Sequence, residues 1–132
     1  MAIYGIGAFY EEDVSESFIR ANVIGAGWPL GDAPELHQFV RSLKVGDIVY
    51  IKAFPPGSRQ IIVKAIGVIV DDVIVDDSTS NDLVSCGRNV RWVSTEQFAL
   101  PQPTEKNNVR ANTLYEEFHP VVQREILARL VR

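Results

Sequence analysis

The segment Lys44-Val45-Gly46-Asp47-Ile48-Val49-Tyr50-Ile51-Lys52 constrains this chain more than any other. A Gly-Asp pair stands between a stretch with helical spacing and a run of β-branched and aromatic residues. Glycine tolerates the backbone angles of a tight reversal, and the Ile-Val-Tyr-Ile run suits a half-buried pleated surface. The chain is therefore expected to turn from a helix directly into the strand of a small β-structure. Upstream, Gly25-Ala26-Gly27-Trp28 places a lone tryptophan on a glycine-rich segment. Together the two segments point to a compact barrel that holds one planar ligand, more than to an enzyme built around an acid–base or nucleophilic group.

With 132 residues, the chain is expected to form a single domain over 1–132 with one sizeable core. No apolar run approaches the roughly 20 residues of a membrane-spanning helix, so no membrane partner is expected. Met1-Ala2-Ile3-Tyr4 lacks the basic and apolar regions of a signal peptide. The single cysteine, Cys86, has no internal disulfide partner, which fits a cytoplasmic location. Net charge is −4, unevenly spread: residues 1–87 hold 6 Lys/Arg and 12 Asp/Glu, and residues 88–132 hold 7 and 5. Sequence-independent coating of nucleic acid draws on counterion release by Lys and Arg, so an acidic chain must contact nucleic acid locally or bind something small.

The spacing predicts a first strand over Ala2–Phe9, with Gly5 and Gly7 on one face, where missing side chains let a ligand or backbone approach. A short helix follows, capped by Asp13 or Ser15, with Val14, Phe18 and Ile19 apolar. Asn22–Trp28 reads as a second strand. Pro34 opens a helix whose Leu36, Phe39, Val40 and Leu43 fall at helical spacing. Strands are expected at Ile48–Phe54, Gln60–Val70, Val73–Val75 and Asn89–Val93. Thr113–Phe118 is compatible with helix or strand, and a terminal helix is expected over about 120–131, with Val121, Val122, Ile126, Leu127 and Leu130 apolar. The expected class is α+β: a small mixed β-barrel, curled to protect its edges, with flanking helices and a C-terminal helix packing on it.

Among residues that could carry chemistry, Phe9, Tyr10, Trp28, Phe54 and Tyr115 sit at expected strand ends or loops. Such positions gather at one mouth of a small barrel, where aromatic faces stack on planar bases at about 1–3 kcal/mol each. The alternative is that they plug the barrel ends. Asp71-Asp72 and Asp76-Asp77 are separated by an apolar stretch and read as solvated turns, not a cation site. Lys52, Arg59, Lys64, Arg88, Arg91 and Arg110 could meet phosphates, Arg59 first among them. Asn107, Asn108 and Asn112 are ordinary turn residues or readers of base edges. His37 and His119 have no ligand partners at zinc spacing. Cys86 reads as a small packed residue. There is neither a Gly-x-Ser-x-Gly elbow nor a phosphate-binding loop. No catalytic residue, metal or cofactor is expected, and the chain reads as a non-enzyme.

The order of these segments resembles the PUA-like superfamily, which includes the EVE and YTH domains. It is most similar to the PUA-like modules of modification-dependent restriction proteins. The resemblance is carried by Tyr4-Gly5-Ile6-Gly7-Ala8, Asp13 with Phe18, Ile24-Gly25-Ala26-Gly27-Trp28, the stretch from Phe39 to Tyr50, Ala65-Ile66-Gly67-Val68-Ile69 and Val90-Arg91-Trp92-Val93. It implies a pseudo-barrel whose aromatic pocket accepts a modified or flipped nucleic-acid base. Carried onto this chain, the ligand-binding residues would be Phe9, Tyr10, Trp28 and Phe54, with Asp13 accepting from a base edge and Arg59 meeting a phosphate. Trp92, mid-strand, is expected in the core. The chain is acidic, and it is expected to be free-standing, with no nuclease domain, which departs from that pattern. A free or signalling nucleotide, or a protein partner, is therefore an alternative.

Overall fold

The computed structural model describes residues 2–8, 13–54, 60–78, 82–100 and 113–131. Along the chain these form β1 (Ile3–Gly7), α1 (Ser15–Ala21), β2 (Val23–Ala26), α2 (Pro34–Ser42), β3 (Ile48–Ala53), β4 (Ile62–Asp76), β5 (Cys86–Ser94), β6 (Phe98–Ala99), β7 (Leu114–Glu116) and α3 (Pro120–Leu130). The class is mixed α+β. One sheet runs in the order β2-β5-β4-β3-β1-β7, and β6 pairs with the beginning of β4. β1 and β3 are parallel, Ile3 opposite Ile48 and Gly7 opposite Lys52, and the other pairings are antiparallel. Among the described residues the pairing path is open, with β2 and β7 at its two ends.

The Gly-Asp turn works through both residues. Gly46 has φ +93°, a conformation that side chains rarely adopt. Asp47 is buried, and its Oδ2 accepts from the Lys44 backbone N–H at 2.8 Å while Oδ1 accepts from that of Ala2 at 3.1 Å. One carboxylate thus closes the turn into β3 and fixes the start of β1 beside it.

β4 is longer than its sequence suggests. Ile69 pairs with Val90 but Ile74 pairs with Arg88, so five steps along β4 match two along β5. The surplus, Val70–Val73, bulges outward with Val70 and Val73 exposed. The separate strand expected at Val73–Val75 is therefore the far part of β4. Asp71 allows the bulge: its Oδ1 accepts from the Val73 N–H and its carboxylate receives the Asn89 amide. Thr113–Phe118 resolves as strand β7, because Leu114–Glu116 pairs with β1. β6 had no visible signal in two residues, and the expected strand at Asn89–Val93 begins earlier, at Cys86.

Two clusters of buried side chains lie on the two faces of the sheet. On one, Ile6, Val49, Ile51, Ala65 and Ile69 pack with Phe18 of α1 and Val40 of α2. On the other, Ile3, Ile48, Tyr50, Val63 and Ile66 pack with Val122 and Ile126 of α3. The alternation of side chains along β1, β3 and β4 serves both layers. Burying the strands on both faces explains their near-continuous apolar runs. No described helix is long and apolar enough to cross a membrane.

Candidate ligand site at one end of the sheet

β1, β3 and β5 finish, and β4 begins, at the same end of the sheet. The Val14 N–H donates to the Ala8 carbonyl at 2.8 Å, which brings the start of α1 back to the end of β1. Asp13 is exposed there. Its Oδ1 accepts from the Ser15 N–H at 2.8 Å and from the Ser15 hydroxyl at 2.5 Å, a local turn that satisfies the helix entry. Beside it lies an open groove of about 650 Å³ lined by Asp13, Ile19, Arg20, Lys64, Thr95 and Gln97 among others. Its cations and carboxylates balance, and its hydroxyl and amide groups can both donate and accept.

On the other face at this end, Lys52 is only 8% exposed. Its ammonium stands 5.2 Å from the Phe54 ring centroid and 5.6 Å from that of Tyr115, within the range of cation–π attraction. Burial disfavours the charged form and lowers its pKa to about 8. Phe54 itself is 45% exposed. Tyr115 is buried, its hydroxyl 2.9 Å from that of Tyr50, which donates to Glu117 Oε1 at 2.7 Å. Burial, reinforced by Tyr115 and Glu117, raises the Tyr50 pKa far above that of a free tyrosine. Glu117 Oε2 accepts from the His119 N–H at 3.1 Å, so the network reaches the entry of α3.

The sequence-derived site residues fare differently. Asp13 and Phe54 both stand at this end. Phe9, Tyr10 and Arg59 lie outside the described residues, between Ala8 and Asp13 and between Phe54 and Gln60. Trp28 is 58% exposed, but it follows β2, which pairs with Cys86–Asn89 beyond the β4 bulge, whereas Phe54 precedes that bulge. Its carbonyl is 2.6 Å from His37 Nε2, which ties the Trp28 loop to α2. Tyr115, expected at a mouth, is instead a core residue: its ring fills the space above Gly5, where an added Cβ would lie 2.4 Å away. The bare face at Gly5 thus admits a side chain of β7. Trp92 packs on Gly67 and against the core, with its indole N–H buried.

Two of the basic residues proposed for phosphates are not surface groups. Arg88 is 2% exposed and donates to the carbonyls of Val40, Arg41, Leu43 and Asp71. Lys52 is buried as described. Lys64 lines the groove and Arg91 is exposed, while Arg59 and Arg110 lie outside the described residues. The Lys52–Tyr115–Tyr50–Glu117 grouping escaped the sequence reading. Its visible trace was the alternation of Gly5 and Gly7 against Tyr50 and Lys52, meaningful only once β1 and β3 are paired.

The fold and this strand-end geometry define a mixed α+β domain with a half-open ligand-sized groove. Residues 10–117 match a family described as a domain of unknown function (DUF8426), and the chain belongs to that family. A crystal structure of a Pseudomonas putida protein from a structural genomics consortium is similar in fold, with a TM-score of 0.50, 14% identity, and coverage of 98% of this chain and 100% of that one. No curated protein matches.

Proposed function

We propose that the chain is a non-enzymatic binding module that receives a modified or flipped nucleic-acid base at the end of the sheet where β1 and β3 finish. The observation that carries this reading is the groove beside Asp13, about 650 Å³ and lined by both donors and acceptors. That volume falls in the usual range for small-ligand pockets, about 300–1,000 Å³. Phe54 is an exposed ring at the same end, but on the other face of the sheet and outside the lining of this groove. Asp13 uses Oδ1 in its own turn, and in this reading Oδ2 accepts from a base edge. The similarity to PUA-like modules supports the same reading. It also favours a sheet curled into a pseudo-barrel, with β2 and β7 as the lips of the opening.

The net charge of −4 favours a local pocket over a long backbone footprint. Extruding a base costs a few kcal/mol, which stacking must offset. The test is a binding titration with single-stranded and duplex oligonucleotides, modified and unmodified, at two salt concentrations. Selective binding with a shallow salt dependence is the expected result, and no binding to any of them overturns the reading. A thermal-shift panel of mononucleotides and cyclic nucleotides tests the small-ligand alternative, since ligand at 100 times its Kd adds about 2.7 kcal/mol. A shift there with none for oligonucleotides would assign the site to a free nucleotide.

A further inference from the structure

We infer that the groove beside Asp13 receives a nucleotide complete with its phosphate, and that Lys64 is the side chain that meets the phosphate. The inference rests on the ligand reading above and deepens it, from a base to the unit that carries the base. Two irregularities of the sheet meet at Lys64. Ile51 pairs with Ala65 but Lys52 pairs with Val63, so one step along β3 matches two along β4, and Lys64 is the surplus residue. In a regular strand Val63 and Ala65 would share a face. Here they are buried in the two clusters on opposite faces of the sheet, so the bulge has shifted the alternation by one residue. A bulge of this kind re-aims a side chain, and Lys64 lines the groove on the α1 face. On the other edge of β4, Ile66 pairs with Ser94 and Val63 with Phe98, and residues 95–97 pass Lys64 between those two pairings.

Lys64 is half-buried, and among the described residues no side-chain hydrogen bond or ion pair holds its ammonium. The same is true of Glu16 and Arg20, which line the groove from α1 one helical turn apart. A partly dehydrated ammonium gains from an oxyanion, because Coulomb attraction in a half-enclosed groove is less screened than in water. Hydrogen bonds between ionised groups are also stronger than neutral ones. Thr95 and Gln97 line the same groove and bring a hydroxyl and an amide that donate to further phosphate oxygens. The carboxylates sort the two ends of the ligand. Asp13 and Glu16 repel a phosphate and accept from amino or imino groups on a ring edge, so the ring turns to them and the phosphate to Lys64. Arg20 is the second cation within the groove. A nucleoside makes the ring contacts and lacks the ionic one. A footprint of one phosphate also agrees with the net charge of −4.

The test compares neutral and charged members of matched pairs by calorimetric titration at pH 7. One set is the common nucleosides against their 5′- and 3′-monophosphates. The other is the modified and unmodified oligonucleotides above, with either methylphosphonate or phosphodiester linkages beside the target base. The charged member is expected to bind at least about tenfold tighter than its neutral partner. Lys64→Gln then removes that preference and leaves the neutral member's affinity as it was, while Lys64→Arg keeps most of the preference. Both variants are checked for folding by circular dichroism. For a single-stranded oligonucleotide, Lys64→Gln also lowers the slope of log affinity against log salt by about 0.7, one phosphate contact. A preference among mononucleotides assigns the phosphate to a free nucleotide, and one among oligonucleotides assigns it to the backbone. Equal binding of neutral and charged partners overturns the inference and leaves the ligand reading standing. So does a preference that survives in Lys64→Gln, or a Lys64→Gln loss that is the same for both members. No binding of any probe to the folded protein overturns the inference and the ligand reading together.

Discussion

The Arg88 guanidinium caps the C-terminus of α2 through the Leu43 carbonyl. Its Nη1 also reaches the Val40 and Arg41 carbonyls at 3.3 and 3.4 Å, and its Nη2 donates to the Asp71 carbonyl at 2.9 Å. One buried cation therefore joins a helix end to the bulge of β4. The partial negative charge of the helix terminus helps hold it there. Arg88→Met leaves these carbonyls short of a donor, at about 1–3 kcal/mol for each one left unsatisfied. Part of that is offset by removing a buried charge, so a net loss of about 2–4 kcal/mol is expected from denaturant midpoints at constant m value. Arg88→Lys should recover less than half, because an ammonium cannot reproduce the planar fork.

Gly5 and Tyr115 form a second fixed pair. A methyl group at Gly5 would lie 2.4 Å from the ring of Tyr115 and 2.7 Å from its next nearest carbon. The ring must move, and with it the hydrogen bond to Tyr50. Gly5→Ala is expected to destabilise by about 1–3 kcal/mol. Combined with Tyr115→Ala it should cost clearly less than the sum of the two single changes, a coupling that a double-mutant cycle reads directly. Gly31→Ala, where nothing lies within 4 Å, serves as the neutral comparison.

These pairs show what the sequence could and could not disclose. The helix of Pro34–Ser42 and the strand of Ile48–Ala53 were legible from periodicity and from the Gly46-Asp47 turn, because the signals are local. The bulge at Val70–Val73 was not, since it exists only as a mismatch in length between β4 and β5. The burial of Arg88 was not legible either, because its partners are backbone carbonyls from Val40 to Leu43 and at Asp71, far away in sequence. From the sequence, Phe54 could be placed at a strand end and Asp13 at the start of a short helix. That Phe54 stands beside a buried lysine required the pairing of Gly7 with Lys52.

Lys52 gives a signature in stability against pH. Its pKa falls from 10.5 in the unfolded chain to about 8 in the fold. Between those values the unfolded state binds the extra proton, so stability rises with pH across that window and is lower below it. The gain is about 2 kcal/mol once partial hydration at the strand end is allowed for. Tyr50 acts in the opposite sense, because its raised pKa favours the unfolded, ionised tyrosine above pH 10. The expected profile climbs from pH 8 to about 10 and then falls. Lys52→Met should flatten the climb and be more stable than the parent at pH 7. Urea titrations at half-unit pH steps check this, and a parallel rise in the variant would refute it.

The two tryptophans can be told apart in one protein. Trp28 is 58% exposed and Trp92 packs on Gly67. Trp28→Ala should change stability by no more than about 0.5 kcal/mol, as for other exposed positions. Trp92→Ala should cost about 3 kcal/mol or more through the cavity it leaves. With only two tryptophans in the chain, Trp92→Phe leaves Trp28 as the sole reporter. Its emission should resemble that of a hydrated indole and be readily quenched by acrylamide. If a base stacks on Trp28, ligand should both quench this emission and protect it from acrylamide. Trp28→Ala should then weaken binding by about 1–3 kcal/mol. If ligand binds the folded protein with no change in Trp28 emission, and Trp28→Ala leaves the affinity unaltered, the ligand sits at the Asp13–Phe54 end alone and the Trp28 loop, held by His37, is structural.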